Sequence, residues 1–383
     1  MKFEKTSSTP LTVWAHSYCR STLATYLALA DQYPCSVEIV VCGKADPALR
    51  VRTGFQSREF DEAYFKRVGP TVTEALDMLA SRREHVHMFC AYHGSAFFEA
   101  LLRKAIVLGL PYFIASEAPQ NMEQPLLRRM LKELYIRTVL RFRVRRTIRE
   151  SQFIVCYSGY APNRLRQVGW PQSKIEEFGY YPPSLLEARP ELSIPKRRNA
   201  LRDDPMHFLL SGTHCRHKSP MTLIEAVEIL ERRGLAGRFK CTVTGVGFQT
   251  LRMEERSLEL ELPILFRGLV DLEELIALYA TVDVFVATGV NEPWGIRVND
   301  ALQLGCPALV SAGMGAVTLV QDSGLGWSYP PGSSEALANT MQDLIEHPAK
   351  VKITQERLRQ DESISPTAQA QRLAKIIQRR LDQ

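Results

Sequence analysis

The chain has 383 residues, 45% hydrophobic and 23% charged, values that exclude a disordered or fibrous protein. At roughly 100–200 residues per domain it asks for two domains, each large enough to bury its own core. The net charge of +6 belongs to one segment: residues 124–150 hold eight Arg and one Lys against two Glu, and the rest is close to neutral.

The eight cysteines show no C-x-x-C pair and no regular spacing, and several end apolar runs, as Cys42, Cys90 and Cys156 do. Buried thiols in a reducing compartment are the expectation. The N-terminal MKFEKTSSTPLTVW has no apolar h-region of a secretory signal. No stretch reaches the roughly 18 apolar residues of a spanning helix. These features predict a soluble, cytoplasmic protein.

In chain order, short apolar runs predict strands at Leu11–Ala15, Val37–Cys42, Val86–Cys90, Tyr112–Ala115 and Phe153–Cys156. Helix-period segments near 21–31, 71–83 and 96–108 and the long basic stretch separate them. A proline- and charge-rich segment, 183–206, with no period of 2 or 3.6, reads as a connection between domains 1–182 and 207–383, with the last helix a candidate to return to the first domain. Beyond it, strands are predicted at Phe208–Ser211, Cys241–Thr244, Ile264–Phe266, Val284–Ala287 and Ala308–Ser311. Helices fall near 220–233, 272–280, 296–304 and 335–346. Alternating strands and helices predict α/β architecture, two Rossmann-like domains facing each other across a cleft. Ligands of such sheets bind at the carboxyl ends of the strands.

Two strand-end loops in the second half stand out. In SGTHCRHKSPMTLIEAVEIL, Lys218 directly precedes a helix start, with Ser219 as N-cap and Pro220 at the first helical position. It suits an anion there or, equally, is a solvated loop lysine. In VFVATGVNEPWGIRVNDALQLGCPALVS, Gly295 allows close backbone approach, and Glu292 and Asp300 are acceptors suited to sugar and ribose hydroxyls. Glu292 also fits a helix-entry acid interacting with the dipole. Asp300, among apolar helix positions, would be costly to bury without a ligand.

Residues 207–338 resemble the donor domain of family 4 glycosyltransferases of the GT-B fold, through SGTHCRHKS, VTGVG, FRGLV, LYATVDVFVA, NEPWGIRVNDALQLGCPALVSAGMGA and GLGWSYPPGSSEAL in order. The family's E-x(7)-E signature falls on Glu292 and Asp300. The resemblance implies that Glu292 binds donor-sugar hydroxyls, Asp300 the ribose and Lys218 the diphosphate. Trp294, Gly295 and Ile296 would supply backbone contacts, and Gly212, Thr213, Val246, Gly247, Arg267 and Gly268 would complete the donor site. The other reading of Gly245–Gly247 is a tight strand-end turn, and of Arg267 a salt bridge. Two departures stand against the pattern. Asp300 is one methylene shorter than the family's Glu, and Thr213 replaces a phosphate-binding Arg, for which His214, Arg216 and Arg297 are the candidate substitutes.

The first half resembles the family less, having AHSYCRS at 15–21 where a Gly-Gly loop is usual; Arg20 or backbone N–H groups there are candidates to meet the donor phosphates, with a surface loop the equal alternative. His93, after the third predicted strand, matches the histidine that faces the donor sugar; a satisfied structural histidine is the alternative. Glu117 is an acceptor-side candidate. The basic segment has two readings: a partly buried structural helix, or a surface on which Arg137, Arg141, Arg145 and Arg149 meet an anionic membrane. No nucleic-acid motif accompanies the charge, so no nucleic-acid partner is expected.

The resemblance implies a retaining hexosyltransferase that needs no metal or other cofactor. It would carry a sugar from a UDP- or GDP-sugar donor to a saccharide or lipid-linked acceptor, in polysaccharide or lipopolysaccharide assembly at the inner face of a membrane. The competing reading is a non-catalytic GT-B protein that binds nucleotide or a partner transferase, motivated by Asp300 and Thr213. A dinucleotide oxidoreductase fits poorly, since Gln249 and Thr250 follow Gly245-x-Gly247 where a third glycine belongs.

Overall fold

Fully apolar strands of four to six residues can be satisfied only inside a parallel sheet covered on both faces, and both halves of the chain build one. The computed structural model describes residues 9–16, 20–43, 65–118, 126–157, 161–188, 204–321 and 323–383. They divide into two compact units, 1–183 with 365–383, and 184–364. Of the segment 183–206 read as a connection, residues 189–203 lie outside the described set, and the division falls after Pro183.

The first unit holds seven strands: β1 (Leu11–Ala15), β2 (Val37–Val41), β3 (Phe65–Val68), β4 (Val86–Phe89), β5 (Tyr112–Ser116), β6 (Ile154–Cys156) and β7 (Ile175–Glu177). They run in the order β3-β2-β1-β4-β5-β6-β7, and every pairing is parallel. Helices α1 (Arg20–Gln32), α2 (Val72–Ser81) and α3 (Ala96–Leu108) follow β1, β3 and β4. The basic stretch forms α4 (Leu126–Tyr135), a π-helical turn (Ile136–Leu140) and α5 (Arg141–Glu150); α6 is Ala161–Val168.

The second unit opens with α7 (Leu185–Ala188) and has β8 (Met206–Ser211), β9 (Phe239–Thr244), β10 (Ile264–Gly268), β11 (Val284–Ala287), β12 (Ala308–Ser311) and β13 (Gly326–Tyr329). Their order is β10-β9-β8-β11-β12-β13, again all parallel. Its other helices are α8 (Met221–Arg232), α9 (Thr250–Glu259), α10 (Leu272–Thr281), α11 (Arg297–Gln303), α12 (Thr318–Gln321), α13 (Ser334–Glu346) and α14 (Ala349–Gln360).

The last helix, α15 (Pro366–Leu381), belongs to the first unit and packs on α1. Ser365 caps it, accepting from the Ala368 amide, and Leu373, Ile377 and Leu381 line its buried face. Burying each such side chain stabilises by about 1.5–3 kcal/mol. Arg379 and Arg380 pair with Glu176 on β7 and fasten the helix to the edge of the sheet.

Strands β3, β7 and β13 and helices α6, α7, α9, α12 and α14 lie outside the elements expected from sequence. The reason is visible in α9, where Leu251 and Leu258 face solvent while Met253 and Ser257 are buried. Its apolar residues do not mark its inner face. Strand β7 is only three residues long, two of them Glu. No disulfide joins the seven described cysteines.

Candidate functional site

In each sheet the strand order reverses once, between β1 and β4 and between β8 and β11. Loops leaving two adjacent strands toward opposite faces open a crevice there. Lys218 lies on the loop after β8 and Glu292 on the loop after β11, so topology brings together residues 74 positions apart.

The backbone ties the two loops. The Val290 amide donates to the His217 carbonyl at 2.8 Å and the Thr288 hydroxyl to the Lys218 carbonyl at 2.7 Å. A third loop, after β12, brackets Glu292: its amide donates to the Gly313 carbonyl (3.1 Å), and its carbonyl accepts from the Gly315 amide (3.2 Å). With its main chain held on both sides, Glu292 presents a carboxylate that is 13% exposed. Lys218 Nζ lies 3.6 Å from Glu292 Oε2 and His217 Nε2 3.3 Å from the same oxygen. His217 escaped the sequence reading; its only signal was its place beside Lys218.

Glycine makes this packing feasible. A Cβ on Gly245, at the end of β9, would lie 1.9 Å from the Gly212 carbonyl oxygen, and Gly245 has φ +102. On Gly295 (φ +100) it would lie 2.3 Å from Met314 Cε and 3.7 Å from Glu292 Cγ. Both positions require a residue without a side chain. Gly247 approaches the His214 carbonyl closely, and its amide donates to Thr250 Oγ1. Thr213 and Val246 are exposed on these loops.

Helix α8 begins at Met221, after Pro220, and Ser219 adopts a left-handed conformation (φ 45), so Ser219 is not the N-cap expected. Helix α11 has seven residues, which puts Asp300 in its first turn rather than its second. Asp300 is fully buried, and Arg297 Nη1 donates to its Oδ2 at 3.2 Å. The pair answers the cost of burying a carboxylate from within the protein, where the sequence argument looked to a ligand. Trp294 is buried too, its indole donating to Asn299 Oδ1 at 2.8 Å, so its side chain is structural and the Trp294–Ile296 backbone forms the loop. Arg267 pairs with Glu274, and the Gly268 carbonyl accepts from the Gly245 amide.

Of the candidates to replace the missing arginine, His214 drops out. It is 1% exposed, its Nε2 donates to the Thr244 carbonyl, Nδ1 meets the Thr250 hydroxyl, and burial pushes its pKa down, leaving it neutral. Arg216 is exposed. Arg297 is 39% exposed and held by Asp300.

In the first unit, His93 follows β4 at that sheet's own reversal point. It is half-buried, edge-on to Tyr92 with ring centroids 4.6 Å apart. Burial lowers its pKa; Glu99 opposes the shift and Lys132 adds to it. His93 lines a cavity of about 790 Å³ between α3 and the basic helices, which Glu99 and Arg143 cross as an ion pair at 3.1 Å. Glu117, after β5, accepts from the Tyr180 hydroxyl at 2.7 Å. The side chain of Arg20 lies outside the described residues.

The basic helices carry two apolar faces. Ile136, Leu140, Val144 and Ile148 are buried, while Leu127, Met130, Leu131, Leu134, Val139 and Phe142 are 49–72% exposed. A step of four residues advances an α-helix about 40° beyond a full turn, and the wider π turn absorbs part of that drift. The inner residues therefore stay on one line, and Arg137, Arg141, Arg145 and Arg149 stay exposed. Arg145 lies over Phe142 (5.4 Å), and Arg149 pairs with Glu150 (2.8 Å). No helix among the described residues is long and apolar enough to cross a membrane.

Comparison with known proteins bears on the fold and on the second unit. Residues 194–361 match the family model of Glycosyl transferases group 1. The chain is 30% identical over 139 residues to the uncharacterized glycosyltransferase MJ1607 of Methanocaldococcus jannaschii, a match spanning 35% of this chain and 35% of that protein's length. Among solved structures it is similar to Alr3699/HepE of Anabaena in complex with UDP and glucose (TM-score 0.63, 14% identity, covering 96% of this chain and 99% of that one). It is also similar to the lipopolysaccharide outer core galactosyltransferase WaaB (TM-score 0.65, 13% identity, 96% and 99%). The chain thus has the α/β fold of the GT-B glycosyltransferases, and its second unit contains the segment that matches Glycosyl transferases group 1.

Proposed function

We propose that the protein is a glycosyltransferase that moves a sugar from a UDP- or GDP-sugar to a saccharide or lipid-linked acceptor. The observation that carries this reading is the meeting of Lys218 and Glu292 at the β8/β11 reversal, inside the segment matched to the glycosyltransferase family. The Anabaena neighbour's UDP and glucose support the donor class. Lys218 would meet the diphosphate and stabilise it as it departs; Glu292 would accept hydrogen bonds from donor-sugar hydroxyls. Retention of configuration, hexosyl transfer and independence from metal are parts of the same proposal, as is a role for His93 beside the sugar and Glu117 on the acceptor side. A ribose role for Asp300 requires Arg297 to turn aside, because the carboxylate is closed to solvent.

The exposed apolar face of α4–α5, flanked by arginines, supports docking on the anionic inner face of a membrane. There lipid-linked acceptors of cell-surface glycan assembly would be within reach. Apolar side chains enter the acyl boundary while each basic residue adds about 1 kcal/mol at an anionic surface.

A thermal-shift panel with UDP, GDP, ADP, CMP and NAD, followed by donor hydrolysis, tests the donor reading. A ligand at 100 times its Kd stabilises by about 2.7 kcal/mol, a shift of several degrees. A shift with UDP or GDP and turnover of the matching sugar nucleotide is expected. Nucleotide binding without turnover would favour the non-catalytic reading, which the Arg297–Asp300 closure suits; no binding at all would remove the donor site.

A further inference from the structure

We infer that His217 is a positioning residue for Glu292, holding its carboxylate in place when Lys218 turns to the donor diphosphate. The inference rests on the donor reading above and extends it to a residue which that reading leaves unused. Glu292 Oε2 has two nitrogen neighbours, Lys218 Nζ at 3.6 Å and His217 Nε2 at 3.3 Å. They differ in freedom. Lys218 is 34% exposed on a flexible four-carbon stem, and a strongly hydrated ammonium follows the larger negative charge when a diphosphate arrives. It cannot then hold the carboxylate as well. A carboxylate only 13% exposed that loses its counter-charge must find another donor, swing away or take up a proton.

The His217 ring is the nearer of the two neighbours, one small rotation from donating to that oxygen. It is 20% exposed, on a two-torsion side chain, and its carbonyl is fixed by the Val290 amide of Glu292's own loop. Cys215 Sγ lies 3.4 Å from its Nδ1. It lies 3.6 Å from Nε2 as well, so the sulfur packs against the ring and limits its rotation. Cys215 itself is 7% exposed, so it buttresses the ring and presents no accessible nucleophile.

The test compares wild type, His217→Ala and His217→Gln by donor turnover, by calorimetric titration with UDP and GDP, and by melting temperature. Gln can still donate at the Nε2 position. His217→Ala is expected to lower kcat about 10- to 100-fold, the range for one hydrogen bond to a charged group. Nucleotide affinity should stay within about twofold, since Lys218 is intact, and His217→Gln should recover most of the rate. An unchanged kcat in His217→Ala, or nucleotide affinity and melting temperature falling in step with the rate, would overturn the inference. If Glu292→Ala is inactive while His217→Ala is not, only the role of His217 falls. If wild type neither binds nucleotide nor turns over donor, the donor reading falls and this inference with it.

Discussion

The β8/β11 reversal and the basic helices use the same kinds of residue to opposite ends. At the reversal, charges sit in partners' reach: Lys218 and His217 on Glu292, and Arg297 on Asp300. Three loops are sewn together there by backbone hydrogen bonds. On α4–α5, Arg137, Arg141 and Arg145 stand in solvent beside exposed leucines and a phenylalanine. A paired, narrow site selects one ligand geometry, whereas an open basic and apolar face suits a surface that has no fixed shape. The difference teaches that the pairing of charges, more than their density, separates a fixed constellation from an open surface.

The sharpest way to break the comparison is Glu292→Ala. We expect donor turnover to fall about a thousandfold or more, with the melting temperature retained; unchanged turnover would mean the site lies elsewhere. Next comes the open face. Reversing Arg141, Arg145 and Arg149 to Glu should weaken pelleting with phosphatidylserine vesicles by about 3 kcal/mol or more and leave nucleotide binding alone. Replacing Leu131, Leu134 and Phe142 by Ser should weaken it too, and undiminished pelleting in both would return the helices to a structural role. Lys218→Ala should cost about 10- to 100-fold in UDP or GDP affinity by calorimetry. Gly245→Ala should destabilise by about 1–3 kcal/mol in denaturant melts, because its Cβ would enter the Gly212 carbonyl.

The smallest effect concerns pH and sets both regions against the cores beneath them. Burial first, then the neighbouring His85, lowers the pKa of His87 from 6.5 to about 3. Burial first, then Lys240, lowers that of His207 to about 4. Each ring is neutral when folded and charges more readily when unfolded, so the unfolded chain binds more protons between the two values. Stability should therefore be complete above about pH 6.5. It should decline as pH falls toward about 3 for the first unit and about 4 for the second, and His207→Gln should flatten the second decline in pH-dependent melts.

The legible part of the site was local. GTHCRHK and NEPWGIRVND each announced a strand-end loop, and the adjacency of Lys218 and Glu292 follows from strand order once both loops are placed. The role of His217 was not legible, because side-chain direction inside the short helical turn Arg216–Lys218 depends on the loop it packs against. Asp300 misled for a related reason: the sequence shows a carboxylate among apolar residues but not that Arg297, three positions earlier, closes over it. Helix α9 stayed hidden because its apolar residues do not follow the face it buries, and strand β7 because only one of its three residues is apolar.

Composition, apolar runs and motif spacing by themselves determined the α/β class, the division into two units and the loops in which Lys218 and Glu292 lie. They also marked the single basic segment. These depend on chain-local chemistry: backbone satisfaction in buried strands, caps, and residue types at loop positions. Only the tertiary structure decided that α15 fastens to Glu176 on β7, that a π turn keeps the inner apolar residues of the basic helices on one line, and that His217 stands against Glu292. Each of those outcomes is a contest between partners far apart in sequence, and packing geometry settles it.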